Sequence, residues 1–105
     1  MQYKRLKKQS DFQKLFQKGK RAFSPSFTMI YRQSTEMTMG ISVGKRHGKS
    51  VKRNKIKRLV REAFRLTQST MKGRYAIVII PKVAEEYSFH TFEQHFLAVI
   101  KNEKV

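Results

Sequence analysis

The stretch SVKRNKIKRLVREAFRLTQST, Ser50 to Thr70, decides how this chain folds, because its residues sort into two faces at helical spacing. At about 100° per residue, Ile56, Leu59, Val60, Ala63, Phe64 and Leu66 share one arc. Asn54, Lys57, Arg58, Arg61 and Arg65 share the opposite one, with Lys55 and Glu62 on the flank between. A helix of this kind buries one side and keeps the other wet. The wet side is costly as it stands. Lys57/Arg61 and Arg61/Arg65 repel at i,i+4, where a merely soluble helix would interleave Glu. Lys49, Lys52, Arg53 and Lys55 crowd the N-terminal turn, where each cation opposes the macrodipole by about 0.3–1 kcal/mol. A bound polyanion offsets both penalties; the plain alternative is a solvated basic face. Four of these cations are Arg, whose planar fork grips phosphate at two points, and Asn54 adds an amide for a sugar hydroxyl or base edge, or for a local turn.

Outward from this helix the pattern changes period. Met37, Met39, Ile41 and Val43 alternate with Thr38, Gly40 and Ser42, which predicts a half-buried strand. Phe27 to Arg32 predicts another, and Gln33 to Glu36 the hairpin connection between them. Downstream, Tyr75 to Ile80 is a continuous β-branched run that suits a strand covered on one or both faces, ended by Pro81. Ser10 and Gln13 have the spacing of a capping box for a first helix carrying Phe12, Leu15 and Phe16 and ending near Gly19. Ser88 caps a last helix with Phe89, Phe92, Phe96, Val99 and Ile100 inward. The order helix, strand, strand, helix, strand, helix predicts an α+β fold with helices packed on a small sheet. With 105 residues, the chain is read as a single domain, 1–105.

Charge narrows the partners. There are 24 Lys and Arg against 7 Asp and Glu, a formal net charge of +17, where solubility asks for about 2–8 on a small domain. Neutralising phosphates relieves that self-repulsion and releases counterions, so the partner expected is a nucleic acid rather than an anionic membrane or an acidic protein. The absence of Cys excludes disulfides and thiolate metal sites. No apolar run is long enough to span a bilayer and the first residues lack an apolar signal core, so a cytoplasmic location is expected.

Other constellations are thin. Gly44-Lys45-Arg46-His47-Gly48-Lys49-Ser50 follows a strand and precedes a helix as a P-loop does, but its glycine spacing is one residue short. It is read as a loop offering backbone N–H groups and cations to RNA phosphates. His47, His90 and His95 have no metal-ligand spacing, and the seven acids form no catalytic pair, so no protein-side bond breaking is expected. Phe12 and Phe16, at i,i+4, either join the core or line a cleft on which RNA bases stack.

Gly40-Ile41-Ser42-Val43-Gly44-Lys45-Arg46, followed by Arg53-Asn54-Lys55-Ile56-Lys57-Arg58-Leu59-Val60-Arg61-Glu62, closely resembles the bacterial ribonuclease P protein component family. Asp11-Phe12, Phe16, Gly19 and the strand Tyr75 to Ile80 extend the likeness over nearly the whole chain, the last helix matching in pattern only. The resemblance implies a two-layer α/β sandwich of α-β-β-(β)-α-β-α order with a left-handed βαβ crossover, like a domain of small-subunit ribosomal proteins. It implies a protein subunit of a ribonucleoprotein endoribonuclease that removes the 5′ leader of precursor tRNA, with RNA and no DNA as partner. Hydrolysis and most of the magnesium would belong to the catalytic RNA subunit, with no catalytic or metal-binding protein residue. Carried over by position, Lys45, Arg46, Lys49, Arg53, Asn54, Lys57, Arg58, Arg61 and Arg65 would contact RNA, and Phe12, Phe16 and Arg32 would line the leader cleft. Tyr31 stands one place out of register with a cleft tyrosine of some members, which puts Ile30 at that position. A structural RNA-binding protein, for example of the ribosome, and a stand-alone nuclease or nucleotide hydrolase are the rival readings.

Overall fold

The run beginning at Tyr75 takes the middle of the sheet, and the rest of the fold is arranged around it. The computed structural model describes residues 3–105. In chain order the elements are β1 (Lys4–Arg5), α1 (Gln9–Lys18), β2 (Lys20–Phe23), β3 (Phe27–Gln33), β4 (Thr38–Ile41), α2 (Ser50–Thr67), β5 (Tyr75–Pro81) and α3 (Phe89–Glu103). The sheet order is β1-β4-β5-β3-β2. β5 runs antiparallel to β3 and parallel to β4, with Met29 opposite Ile79 and Gly40 opposite Val78. β4, α2 and β5 therefore form a parallel βαβ unit, the unit for which the resemblance implies a left-handed crossover.

The expected hairpin between β3 and β4 does not form. β3 and β4 are separated by β5, so Gln33 to Glu36 crosses the end of the sheet instead of turning back beside its own strand. The reason lies in β5 itself. Ile77, Val78 and Ile79 are wholly buried, and a strand that is apolar on both faces gains most between two neighbours and under two layers. β1 falls outside the expected order, whereas β2 fills the optional strand that the resemblance implies between α1 and α2, although no residue pattern marked it. Both are short, and their basic residues are what edge strands carry against unwanted pairing.

One face of the sheet carries the main core. Phe27, Met29 and Tyr31 of β3, Met39 of β4 and Ile77 and Ile79 of β5 meet Ile56, Val60, Ala63 and Phe64 of α2 and Phe92, Phe96, Val99 and Ile100 of α3. Phe96 sits at its centre, with ring centroids 4.6 Å from Phe27 and 5.6 Å from Phe64. The other face is covered by α1 alone, through a small cluster of Leu15, Ile30 and Val78. Ile30 thus lies on the α1 face. Tyr31 points the opposite way, its hydroxyl donating to Glu103 Oε1 at 2.6 Å.

The apolar arc of α2 is narrower than the wheel predicts. Leu59 is only half-buried and Leu66 is exposed. Thr67 is buried instead, because its hydroxyl donates to the Ala63 carbonyl at 2.9 Å and so needs no water. Capping also differs. α1 begins at Gln9 after Lys8, and α2 begins at Ser50 after Lys49, neither with a side-chain cap, so Ser10 and Ser50 lie inside the first turns. Ser88 does cap α3, accepting from the Thr91 N–H. Gly19 ends α1 in extended backbone; a Cβ there would lie 2.6 Å from Ile30 Cγ2, so close approach explains the glycine.

Candidate nucleic-acid interface

The polar side of α2 divides by burial. Asn54, Arg58 and Arg65 are exposed, whereas Arg53, Lys57 and Arg61 are half-buried, the last two turned towards the sheet edge that β4 and β1 make. There Lys57 and Arg61 share a depression of about 290 Å3 with Arg5, Leu6, Lys7, Phe12, Met39, Gly40 and Ile41. Four cations and no acid line it. Burial lowers the Arg61 pKa, and the neighbouring Arg5 charge adds to that lowering; the same burial raises the Tyr3 phenol against the opposing pull of Arg61. Converging like charges in a half-dry depression form a site that an anion would stabilise.

Arg65 is engaged differently. It forms an ion pair with Glu62 one turn back, and its Nε donates to Glu62 Oε2 at 3.3 Å. That hydrogen bond lowers the Glu62 pKa and raises that of Arg65. Glu62 therefore does more than stand on the flank: it neutralises one end of the basic face. At the other end, Arg53 reaches the Ser50 hydroxyl at 3.4 Å, while its Nε is shut from solvent without a partner among the described residues.

The loop before α2 is a 3-10 turn over Lys45–His47. His47 is buried, and its Nδ1 accepts from the Gly44 N–H at 3.0 Å. The ring proton is thereby assigned to Nε2, which donates to the Pro81 carbonyl at 2.7 Å. The His47 and Gly48 N–H groups bond within the turn as well. Three of the backbone donors expected to face phosphate, the N–H groups of Gly44, His47 and Gly48, are thus used internally. What it presents is side-chain charge, since Lys45, Arg46 and Lys49 are exposed around the buried imidazole. A Cβ on Gly48, which has φ +112, would meet Lys52.

On the α1 face, Phe12 and Phe16 are half-buried against the small cluster and also border open surface. Both rings are thus part of the small core, and Phe12 also lines the depression of Lys57 and Arg61. Gly40 is what lets Phe12 lie so low, for a Cβ there would be 2.5 Å from its ring. Arg32 is not brought together with these rings. It lines a separate depression with Asp11, Lys14, Leu15, Thr38 and Ala76. Sequence reading missed Arg5 and Lys7, which the two-residue strand β1 holds against β4 in parallel, Arg5 opposite Met39. Their only signal was the density of cations in the first eight residues. Among the described residues no three His, Cys, Asp or Glu side chains come together as a metal site, and no helix is long and apolar enough to cross a membrane.

The chain matches the family model described as Ribonuclease P over residues 1–104. The chain belongs to the ribonuclease P protein family. It is 38% identical to the ribonuclease P protein component of Dictyoglomus turgidum over 100 residues, covering 90% of this chain and 84% of the relative. The corresponding protein of Clostridioides difficile is 40% identical over 87 residues, covering 79% and 75%. Among solved structures, the RNase P protein of Staphylococcus aureus superposes with a TM-score of 0.83 at 31% identity, covering 100% of this chain and 98% of that one. The Thermotoga maritima RNase P protein gives 0.82 at 31% identity, covering 94% and 96%. As a ribonuclease P protein, the chain is a subunit of the endoribonuclease ribonucleoprotein of tRNA 5′ processing, in which RNA carries catalysis, and its partner is that RNA subunit.

Proposed function

We propose that the chain works in the cytoplasm as one RNA-binding domain with two contact regions. The first is the basic face of Lys45, Arg46, Lys49, Arg53, Asn54, Lys57, Arg58 and Arg61, which grips phosphates of the catalytic RNA; Arg65 joins once RNA competes for it with Glu62. The second is the surface beside Phe12 and Phe16, which holds the 5′ leader of precursor tRNA. Arg32, which lines the neighbouring depression with Leu6 common to both, would meet the leader beyond those rings. Magnesium is carried by the RNA, so the protein favours metal binding only by positioning RNA strands.

One observation carries this reading: Phe12 lines the same depression as Lys57 and Arg61. A strand leaving the basic face passes directly onto an aromatic surface, the pairing of charge and stacking that single-stranded RNA requires. The test adds the protein to the catalytic RNA and a leader-bearing precursor at low magnesium. Leader removal is expected to rise, and to rise less with Phe12→Ala or Lys57→Ala. Cleavage by the protein without RNA, or no stimulation at all, would overturn the reading.

A further inference from the structure

The α1 face of the sheet is ruled into rows by the strand register. One row runs Arg21, Ile30, Val78, Gly40 across β2, β3, β5 and β4, and α1 lies over it, with Phe12 above Gly40 and Leu15 above Ile30 and Val78. The next row, about 7 Å further along the strands, runs Phe23, Thr28, Ile80, and Ser42 continues it through its N–H bond to the Ile79 carbonyl. Thr28, Ile80 and Ser42 are half-buried and Phe23 is 71% exposed. Phe23 is the one aromatic among the large exposed apolar side chains of the described residues. Its neighbour Ala22 points into the main core, so Phe23 cannot turn there without breaking the alternation of β2. Arg21, on the same side of the strand, donates to the Phe16 carbonyl at 3.4 Å and so stands between the Phe16 turn and Phe23.

We propose that Phe23 is an outer stacking subsite for a nucleobase of the single-stranded leader, reached by a strand that has already passed Phe12 and Phe16. This deepens the leader reading above and rests on it. The occupant is RNA and not an apolar protein surface because Arg21 stands on the same face of β2 as the ring and β2 carries no acid. From β4, beneath Phe12, to β2 there are three strand spacings of about 4.8 Å each, roughly 14 Å. Leader nucleotides close to the cleavage point therefore reach Phe12 first, and only a longer leader reaches Phe23.

The experiment uses the reconstituted ribonucleoprotein and measures affinity for precursors with leaders of increasing length and for mature tRNA. Phe23→Ala is expected to weaken long-leader binding by about fivefold or more, and to leave short-leader precursors and mature tRNA unchanged. Phe23→Trp is expected to retain wild-type affinity, and Phe12→Ala to weaken every leader. An unchanged thermal midpoint shows that the exposed position is not structural. If Phe23→Ala matches wild type at every length while Phe12→Ala does not, the subsite falls and the leader reading stands. If Phe12→Ala also matches wild type, both fall. An equal loss for mature tRNA, or an effect on self-association alone, also overturns the subsite, the latter in favour of a second copy of the chain.

Discussion

The two faces of the central sheet are built to different standards. On one, seven strand residues meet two helices and seal a core in which Phe27, Val60 and Phe96 have no exposure at all. On the other, one ten-residue helix covers three buried residues and leaves its own phenylalanines at the margin. Stability comes mainly from the first face, while the second keeps apolar surface at the water's edge, where a flexible partner can use it. The same division recurs on α2, whose inner side is part of the core and whose outer side concentrates cations with one ion pair among the described residues, Glu62–Arg65.

The largest effect should come from breaking the thick face. Phe96→Ala is expected to destabilise the protein by about 3–5 kcal/mol, read from denaturant unfolding, with Phe16→Ala costing clearly less; equal costs would erase the distinction between the faces. Next is the tie between β3 and α3. Burial, and then the hydrogen bond to Glu103, push the Tyr31 phenol up to about 12, above its unfolded value of about 10. The neutral phenol is therefore the stabilising form. Its contribution is complete below about pH 10 and is lost as pH rises towards 12. The stability difference between wild type and Tyr31→Phe should shrink over that window; a constant difference would mean that the phenol does not titrate with folding.

Smaller effects sharpen the contrast on α2. Arg58 is exposed and opposite the core, so Arg58→Ala should lower the salt slope of RNA binding by roughly 0.7–0.9 for each phosphate left unneutralised, with no change in thermal midpoint. A fallen midpoint with an intact slope would make Arg58 structural. Smallest of all is Glu62→Gln, which releases Arg65: stability should hardly move, the pair being exposed, while RNA affinity at low salt rises slightly. No rise would show that Arg65 has no phosphate to meet.

The helices were legible because their signals are local. The spacing of Ile56, Val60, Ala63 and Phe64 states which side of α2 is buried, and the Ser88 cap states where α3 begins. The family motif around Arg53 to Glu62 was equally local. Strand neighbours were not legible, since nothing between Arg32 and Met37 records that a segment more than forty residues later will slot between β3 and β4. Nor were the short edges: Lys4–Arg5 and Lys20–Phe23 are strands only because a longer strand offers them a ladder. On the site, the α2 cations were found and Arg5, Lys7 and Phe23 were missed, for they acquire meaning only beside residues distant in sequence.

By itself, then, the sequence determined the charge, the two-sided helix and the apolar strand, because charge sums along the chain and periodicity is set by the backbone turn to turn. Only the tertiary structure decided that Phe12 shares a depression with Lys57 and Arg61 while Arg32 stands apart. Such proximity is fixed by sheet order and register, which depend on how distant apolar surfaces best cover one another.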